Sequence, residues 1–96
     1  MKQTILDDIK TKALPILQLA DVKRASLFGS YVRGDNTEES DIDILVDLPR
    51  GKTLLDLVGI KQDLEEKLKK PVDIMTYNSI HPLLKDSILS NQYQIL

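Results

Sequence analysis

The residues best suited to chemistry are two aspartates, Asp41 and Asp43. They begin a run to Asp47 in which Ile42, Ile44 and Val46 would point to one strand face, and Asp41, Asp43, Leu45 and Asp47 to the other. On a β-strand, Asp41 and Asp43 would point to the same face with Cα atoms roughly 6.5–7 Å apart. Their carboxylates can therefore converge on cations, and two metal ions ~3.5–4 Å apart can assist a phosphoryl-type displacement. A solvated strand face would carry the same aspartates, so the pair alone leaves both interpretations open.

A third carboxylate, Asp73, alternates with the apolar residues Val72 and Ile74 and would complete this site from a neighbouring strand. Two carboxylates about 4 Å apart repel by ~4 kcal/mol at an effective dielectric near 20, a cost that a divalent cation removes. With one histidine and no cysteine, the chain favours a hard, oxygen-ligated ion such as Mg²⁺. For Asp73 alone, a solvated surface position is the simpler interpretation.

Gly29 and Ser30 follow an apolar run and stand ten residues (31–40) before Asp41. Glycine lets the backbone approach a phosphate closely, and N–H groups at a helix start bind anions. The Ser30 hydroxyl would add a donor and Arg33 a cation, although Arg33 is equally suited to a salt bridge with a nearby acidic residue. A plain strand-to-turn transition also produces Gly-Ser, and only its position before Asp-x-Asp makes it a strong indication of a phosphate site.

Residues 27–34 (LFGSYVRG) and 39–46 (ESDIDILV) resemble the DNA polymerase β nucleotidyltransferase superfamily and, within it, the minimal nucleotidyltransferases. The likeness covers essentially the whole chain. Val32 departs from it, since many members carry alanine there, but this removes no chemical group.

The resemblance implies a role for each candidate residue. Asp41 and Asp43 would bind two Mg²⁺ ions, and Asp73 would share one of them and help activate the acceptor hydroxyl. Gly29 and Ser30 would hold the phosphates of ATP, and Arg33 is a further candidate nucleotide contact.

The minimal nucleotidyltransferases are typically antitoxins of all-helical HEPN-type ribonuclease toxins. The resemblance implies an enzyme that moves AMP from ATP to a hydroxyl, expected to be a tyrosine's, of a cognate HEPN toxin. Such AMPylation would make the chain the antitoxin of a type VII-like toxin–antitoxin pair. Two alternatives stay open: an antitoxin that neutralises its toxin by stoichiometric binding without catalysis, and nucleotidyl transfer to a small molecule.

The elements that position these residues follow from the hydrophobic pattern. We expect a helix over 4–20 with Thr4 as its N-cap, kinked or divided at Pro15, and a clear helix over 53–70 capped by Thr53 with Asp56. Further elements are strands over 25–28, 41–47 and 72–75, a helix from His81 or Pro82 to Asn91, and an edge strand over 93–96. The order predicts an α/β (α+β) fold, a small mixed sheet with helices packed on one face, as a single domain over residues 1–96. The resemblance implies that this is the polymerase-β-like nucleotidyltransferase fold.

Composition limits the partners of the chain. The net charge is −2 and no long Lys/Arg block is present, so we expect no long nucleic acid substrate held by this chain alone. No apolar run reaches the ~20 residues that a membrane span needs, and a secretory leader is not evident. We therefore expect a cytoplasmic protein that does not bind membranes.

Overall fold

The computed structural model describes residues 2–96, and their side chains from Ile5 onward. In chain order the elements are α1 (Lys2–Leu19), β1 (Arg24–Phe28), α2 (Ser30–Arg33), β2 (Ile42–Asp47), α3 (Leu54–Leu68), β3 (Val72–Thr76), a 3₁₀ turn (Tyr77–Ser79), α4 (Pro82–Ser90) and β4 (Tyr93–Gln94).

The four strands form one mixed sheet in the order β3-β2-β1-β4. Strand β1 is antiparallel to both β2 and β4, whereas β2 and β3 run parallel. The parallel pair is joined by α3, the helical crossover that such a connection requires. The predicted fold class is confirmed.

The main core lies between one face of the sheet and the helices α1 and α3. Every second residue of the central strands is apolar and points into this core. Ile42, Ile44 and Val46 of β2 are buried there, as predicted. Ile60 and Leu64 of α3 are buried against them, and Leu57 and Leu68 pack at the edge of this core. Alternation therefore sends the residues between them, Asp43 included, to the opposite face.

That opposite face is partly covered by a smaller apolar cluster. Phe28, Leu45 and Ile80 are buried in it, and Ile88 and Leu89 of α4 pack against them. The sequence predicted helices on one face, as observed for α1 and α3. The contact of α4 with the second face was not anticipated, and it places α4 beside the carboxylates.

One expectation for α1, an N-cap at Thr4, was wrong. The backbone is already helical at Lys2, so Thr4 lies inside the helix instead of at its N-cap. Of the two alternatives predicted at Pro15, a kink or a division into two helices, the division does not occur. Proline interrupts one intrahelical hydrogen bond, but Pro15 faces solvent while Ala13 and Leu17 are fully buried on the other side. Packing of this buried stripe holds the two halves together.

The predicted cap of α3 is confirmed: the Thr53 N–H and hydroxyl both donate to Oδ2 of Asp56, at 2.7 and 3.2 Å. These hydrogen bonds, the backbone one foremost, lower the pKa of Asp56. His81 caps α4 by accepting from the Leu83 N–H at 3.1 Å. Among residues 2–96, no helix has the length and apolarity needed to cross a membrane.

Candidate active site

The sheet register places the predicted carboxylates side by side. Asp43 on β2 pairs with Asp73 on β3 in parallel register, so both side chains project from the same face of adjacent strands. Asp41 lies just before β2 and is exposed, as is Asp73. The structure thus places Asp73 beside Asp43, with Asp41 two residues before Asp43 in the chain.

The surroundings of Asp43 disfavour the ionised form of its carboxyl group. Burial, followed by the negative charges of Asp73 and Asp41, raises the pKa of Asp43 from 3.8 to about 6, and Arg33 opposes this shift. The fold therefore holds a half-buried carboxylate whose charge is not fully compensated by the protein. Such a perturbed group lining a groove is typical of a functional site.

Gly29 has a conformation and a contact that only glycine accommodates. Its φ of 76° and ψ of −150° lie outside the region that L-residues with a side chain adopt readily. An added Cβ would lie 2.1 Å from Oδ2 of Asp43. The absence of a side chain at Gly29 therefore lets the turn after β1 pack directly against the Asp43 carboxylate.

Ser30 begins the short helix α2 immediately after this turn. The N–H groups of Val32 and Arg33 both donate to the Gly29 carbonyl, at 3.1 and 3.0 Å, and close the first turn. The earlier N–H groups, of Ser30 and Tyr31, are not used by the hydrogen bonds of α2 itself. Two backbone donors and the Ser30 hydroxyl are thus grouped next to Asp43.

Arg33 takes part in two interactions. Its Nε lies 3.2 Å from Oδ2 of Asp35, in the exposed ion pair that the sequence left open as an alternative. Arg33 also lines the groove beside Asp43 and lowers the pKa of that carboxyl. The salt bridge restrains the side chain at the groove without removing its charge from the site.

The candidate site lies in a groove of about 520 Å³. Its lining residues come from the β1–α2 turn, the start of β2 and α4: Phe28, Gly29, Ser30, Arg33, Ser40, Asp41, Asp43, Leu84, Ser87, Ile88 and Asn91. Asp73 is not among them and lies at the exposed edge next to Asp43. The sequence reading missed the α4 residues, whose spacing indicates one helix face but not which surface that face meets.

The donor set fits a hard divalent cation. Asp41, Asp43 and Asp73 offer only carboxylate oxygens, the ligands that Mg²⁺ prefers, and the raised pKa of Asp43 marks a site where positive charge would be favourable. Among the residues whose side chains are described, no group of three acidic, histidine or cysteine side chains is already gathered as a complete ligand set.

The fold, the Gly-Ser turn and the paired aspartates define a nucleotidyltransferase. The family model described as "Nucleotidyltransferase domain" matches residues 4–92, and the chain belongs to this family, as the sequence predicted.

Two relatives are similar to this chain over nearly its whole length. A Methanocaldococcus jannaschii protein assigned as a protein adenylyltransferase, MJ0435, is 58% identical over 91 residues, which cover 95% of this chain and 98% of the relative. A solved structure assigned as a minimal nucleotidyltransferase superimposes with a TM-score of 0.81 at 33% identity, covering 96% of this chain and 94% of the other.

A complex of a tri-AMPylated Shewanella oneidensis HEPN toxin with an MNT antitoxin contains a chain of the same fold, with a TM-score of 0.72 at 22% identity. The match covers 100% of this chain and 72% of that one. At this identity the likeness shows the fold alone.

Proposed function

We propose that this nucleotidyltransferase is a Mg²⁺-dependent protein adenylyltransferase, which transfers AMP from ATP to a tyrosine hydroxyl of a cognate HEPN-type toxin. The observation that carries the proposal is the packing of the Gly29 turn directly against Asp43. This contact places phosphate-binding donors and a cluster of carboxylates at the same point of one groove. Nucleotidyl transfer requires this arrangement, whereas aspartates on a solvated strand face would not need phosphate-binding donors beside them.

Transfer of AMP to a protein is supported by the relative assigned as a protein adenylyltransferase, with which this chain shares 58% identity. A HEPN-type acceptor is proposed from the sequence resemblance to minimal nucleotidyltransferases, together with the shared fold of the antitoxin bound to an AMPylated HEPN toxin. Residues 2–96 present an open groove with the exposed Leu84 on its wall, a surface that a protein acceptor can cover.

The phosphates of ATP would lie against the start of α2. The N–H groups of Ser30 and Tyr31 and the Ser30 hydroxyl would donate to the phosphate oxygens, because the helix's own hydrogen bonds do not use these N–H groups. Gly29 lets this turn approach the substrate and Asp43 together. Arg33, restrained by Asp35, would add positive charge beside the phosphates.

Asp41, Asp43 and Asp73 would hold two Mg²⁺ ions. Bound there, the ions would neutralise the phosphates and stabilise the charge that develops on the transferred group.

An incoming acceptor would meet Asp73, since this residue lies on the edge strand β3 next to Asp43 and outside the lining of the groove. The Asp73 carboxylate is suited to take the proton of the acceptor hydroxyl as the hydroxyl oxygen attacks the α-phosphorus. The bond from oxygen to the α-phosphorus forms, the bond from the α-phosphorus to the bridging oxygen breaks, and pyrophosphate leaves. The acceptor oxygen thereby carries AMP.

Intact-mass spectrometry of the HEPN-type partner, incubated with this chain, ATP and Mg²⁺, tests the proposal. We expect the partner to gain mass in whole AMP units, and Asp41→Asn/Asp43→Asn to abolish the gain. Peptide mapping then identifies the modified residue, expected to be a tyrosine. If the partner's mass is unchanged while its ribonuclease activity is suppressed in a stable complex, stoichiometric neutralisation replaces catalysis as the function.

A further inference from the structure

The wall of the groove that faces the phosphate-binding turn belongs to α4 and the residue that ends it. Leu84, Ser87, Ile88 and Asn91 line this wall at helical spacings of three and four residues, so they form one stripe. Neither charged residue of α4, Lys85 or Asp86, lines the groove. The groove thus has a charged half around Asp43 and an uncharged half along α4.

The apolar part of the α4 wall is only partly covered. Ile88 packs into the cluster around Phe28 and Leu45, whereas Leu84, one turn earlier, leaves 56% of its surface exposed at the groove. Covering such apolar surface is favourable in proportion to its area. A flat, uncharged ring laid along Leu84 and Ile88 would achieve this, and a phosphate would not.

The side-chain amide of Asn91, at the polar end of the wall, has a fixed orientation. The side-chain Nδ2 of Asn91 donates to the Ser87 carbonyl at 2.9 Å. Since a carbonyl oxygen can only accept, the amide nitrogen and not the amide oxygen must face Ser87. One N–H and the Oδ1 acceptor of Asn91 are left for another group. The free Oδ1 of Asn91 can accept from the exocyclic amino group of adenine, and its free N–H can donate to the neighbouring ring nitrogen.

We propose that the α4 wall is the nucleoside subsite, in which an adenine ring lies along Leu84 and Ile88 while Asn91 reads its edge. This assignment rests on the proposed function, since it takes the triphosphate to lie at Gly29 and Ser30. Asn91 would favour adenine over guanine: the exocyclic donor of adenine is replaced by an acceptor in guanine, and the hydrogen bond to Ser87 opposes a flip of the amide. Asn91 is thus assigned as a specificity-determining residue.

Calorimetric titration of the full chain in Mg²⁺ with AMP-PNP, GMP-PNP and inorganic tripolyphosphate tests this subsite. We expect Leu84→Ala to weaken AMP-PNP binding roughly threefold to tenfold, and Asn91→Ala to weaken it on the order of tenfold while removing the preference over GMP-PNP. Tripolyphosphate affinity should be the same in all variants. Neighbouring residues that do not line the groove supply matched controls: Leu83→Ala for Leu84 and Gln92→Ala for Asn91.

Because Asn91 also ends α4, urea unfolding of Asn91→Ala and Asn91→Gly separates loss of recognition from loss of folding. The subsite is overturned if Leu84→Ala and Asn91→Gly bind both analogues as the unaltered chain does. It is equally overturned if they weaken only the partner's binding, which would assign the wall to the acceptor protein. If the unaltered chain binds none of the three probes, the proposed function itself fails.

Discussion

Gly29 and Asp43 are packed so closely that a methyl group on Gly29 would lie 2.1 Å from Oδ2 of Asp43. The turn that would hold the phosphates and the central carboxylate therefore form one structural unit. The ten residues (31–40) between Ser30 and Asp41 close a loop that returns the chain to this contact.

Replacing Gly29 by alanine should disrupt this unit. We expect Gly29→Ala to abolish AMP transfer and to lower the free energy of unfolding by about 1–3 kcal/mol, because a side chain is strained at a φ of 76° and would also collide with Asp43. Gly51→Ala is the matched control, since Gly51 has a φ of 89° with nothing within 4 Å of its added Cβ. Urea unfolding and AMP transfer measured on both variants separate strain from collision. Equal effects of the two substitutions would show that the contact with Asp43 is unimportant.

Neutralising Asp43 should stabilise the protein without divalent cations while removing its activity. The folded-state pKa of Asp43 is raised to about 6, so the carboxyl is neutral in both states below about pH 4. The cost of its charge develops as the pH rises from about 4 to 6. Above pH 6, Asp43→Asn should raise the free energy of unfolding on the order of 1 kcal/mol, after allowance for solvent screening.

Unfolding in EDTA at pH 7.5 and pH 4 measures this effect, with Asp47→Asn, further along the same strand, as the control that should leave AMP transfer intact. A destabilised Asp43→Asn at pH 7.5 would show that the charge of Asp43 does not cost the fold stability.

Binding of Mg²⁺ should depend on whether the Asp43 carboxyl is protonated. A protonated Asp43 is a poor ligand, so the cation and the proton compete as the pH falls through about 6. Millimolar Mg²⁺ should raise the melting temperature at pH 7.5 and have little effect at pH 5, with EDTA reversing the rise. Scanning fluorimetry with and without Mg²⁺ across this range gives the comparison, and Asp41→Asn/Asp43→Asn should abolish the difference. A Mg²⁺ effect that persists in that variant would place the cation elsewhere.

Arg33 should matter for the substrate more than for stability. Its exposed ion pair with Asp35 is expected to contribute less than about 1 kcal/mol to folding. We expect Arg33→Ala to raise the KM for ATP on the order of tenfold, since it removes positive charge beside the phosphates. Asp35→Ala breaks the same ion pair but keeps the arginine, so it should change KM little. Equal KM changes in the two variants would mean that Arg33 acts only through its salt bridge.

Much of the site was readable from the sequence because its signals are local. Alternation along β2 determines which face Asp41 and Asp43 share, and the Gly-Ser turn follows directly from the end of β1. Asp43 and Asp73 are far apart in the sequence. The order of strand, helix and strand nevertheless predicts that the strand carrying Asp73 runs parallel to the strand carrying Asp43, as observed.

The parts that were missed depend on tertiary contacts. Nothing in the sequence indicates that the stripe containing Leu84 and Asn91 faces the groove, because an amphipathic helix can pack on either face of a small sheet. The sequence left open whether α1 is kinked or divided at Pro15 for the same reason. The buried stripe of α1 compensates for a local defect that sequence rules treat as a break.

Turnover shows whether this chain is an adenylyltransferase. The HEPN-type partner in roughly fiftyfold excess over this chain, with ATP and Mg²⁺, should become fully AMPylated over time by intact mass, and equimolar Asp41→Asn/Asp43→Asn should leave its mass unchanged. This result would establish a catalyst acting repeatedly through its carboxylates. An unmodified partner, inactive only when this chain is present in equal amount, would instead show neutralisation by stoichiometric binding and rule out the proposed catalysis.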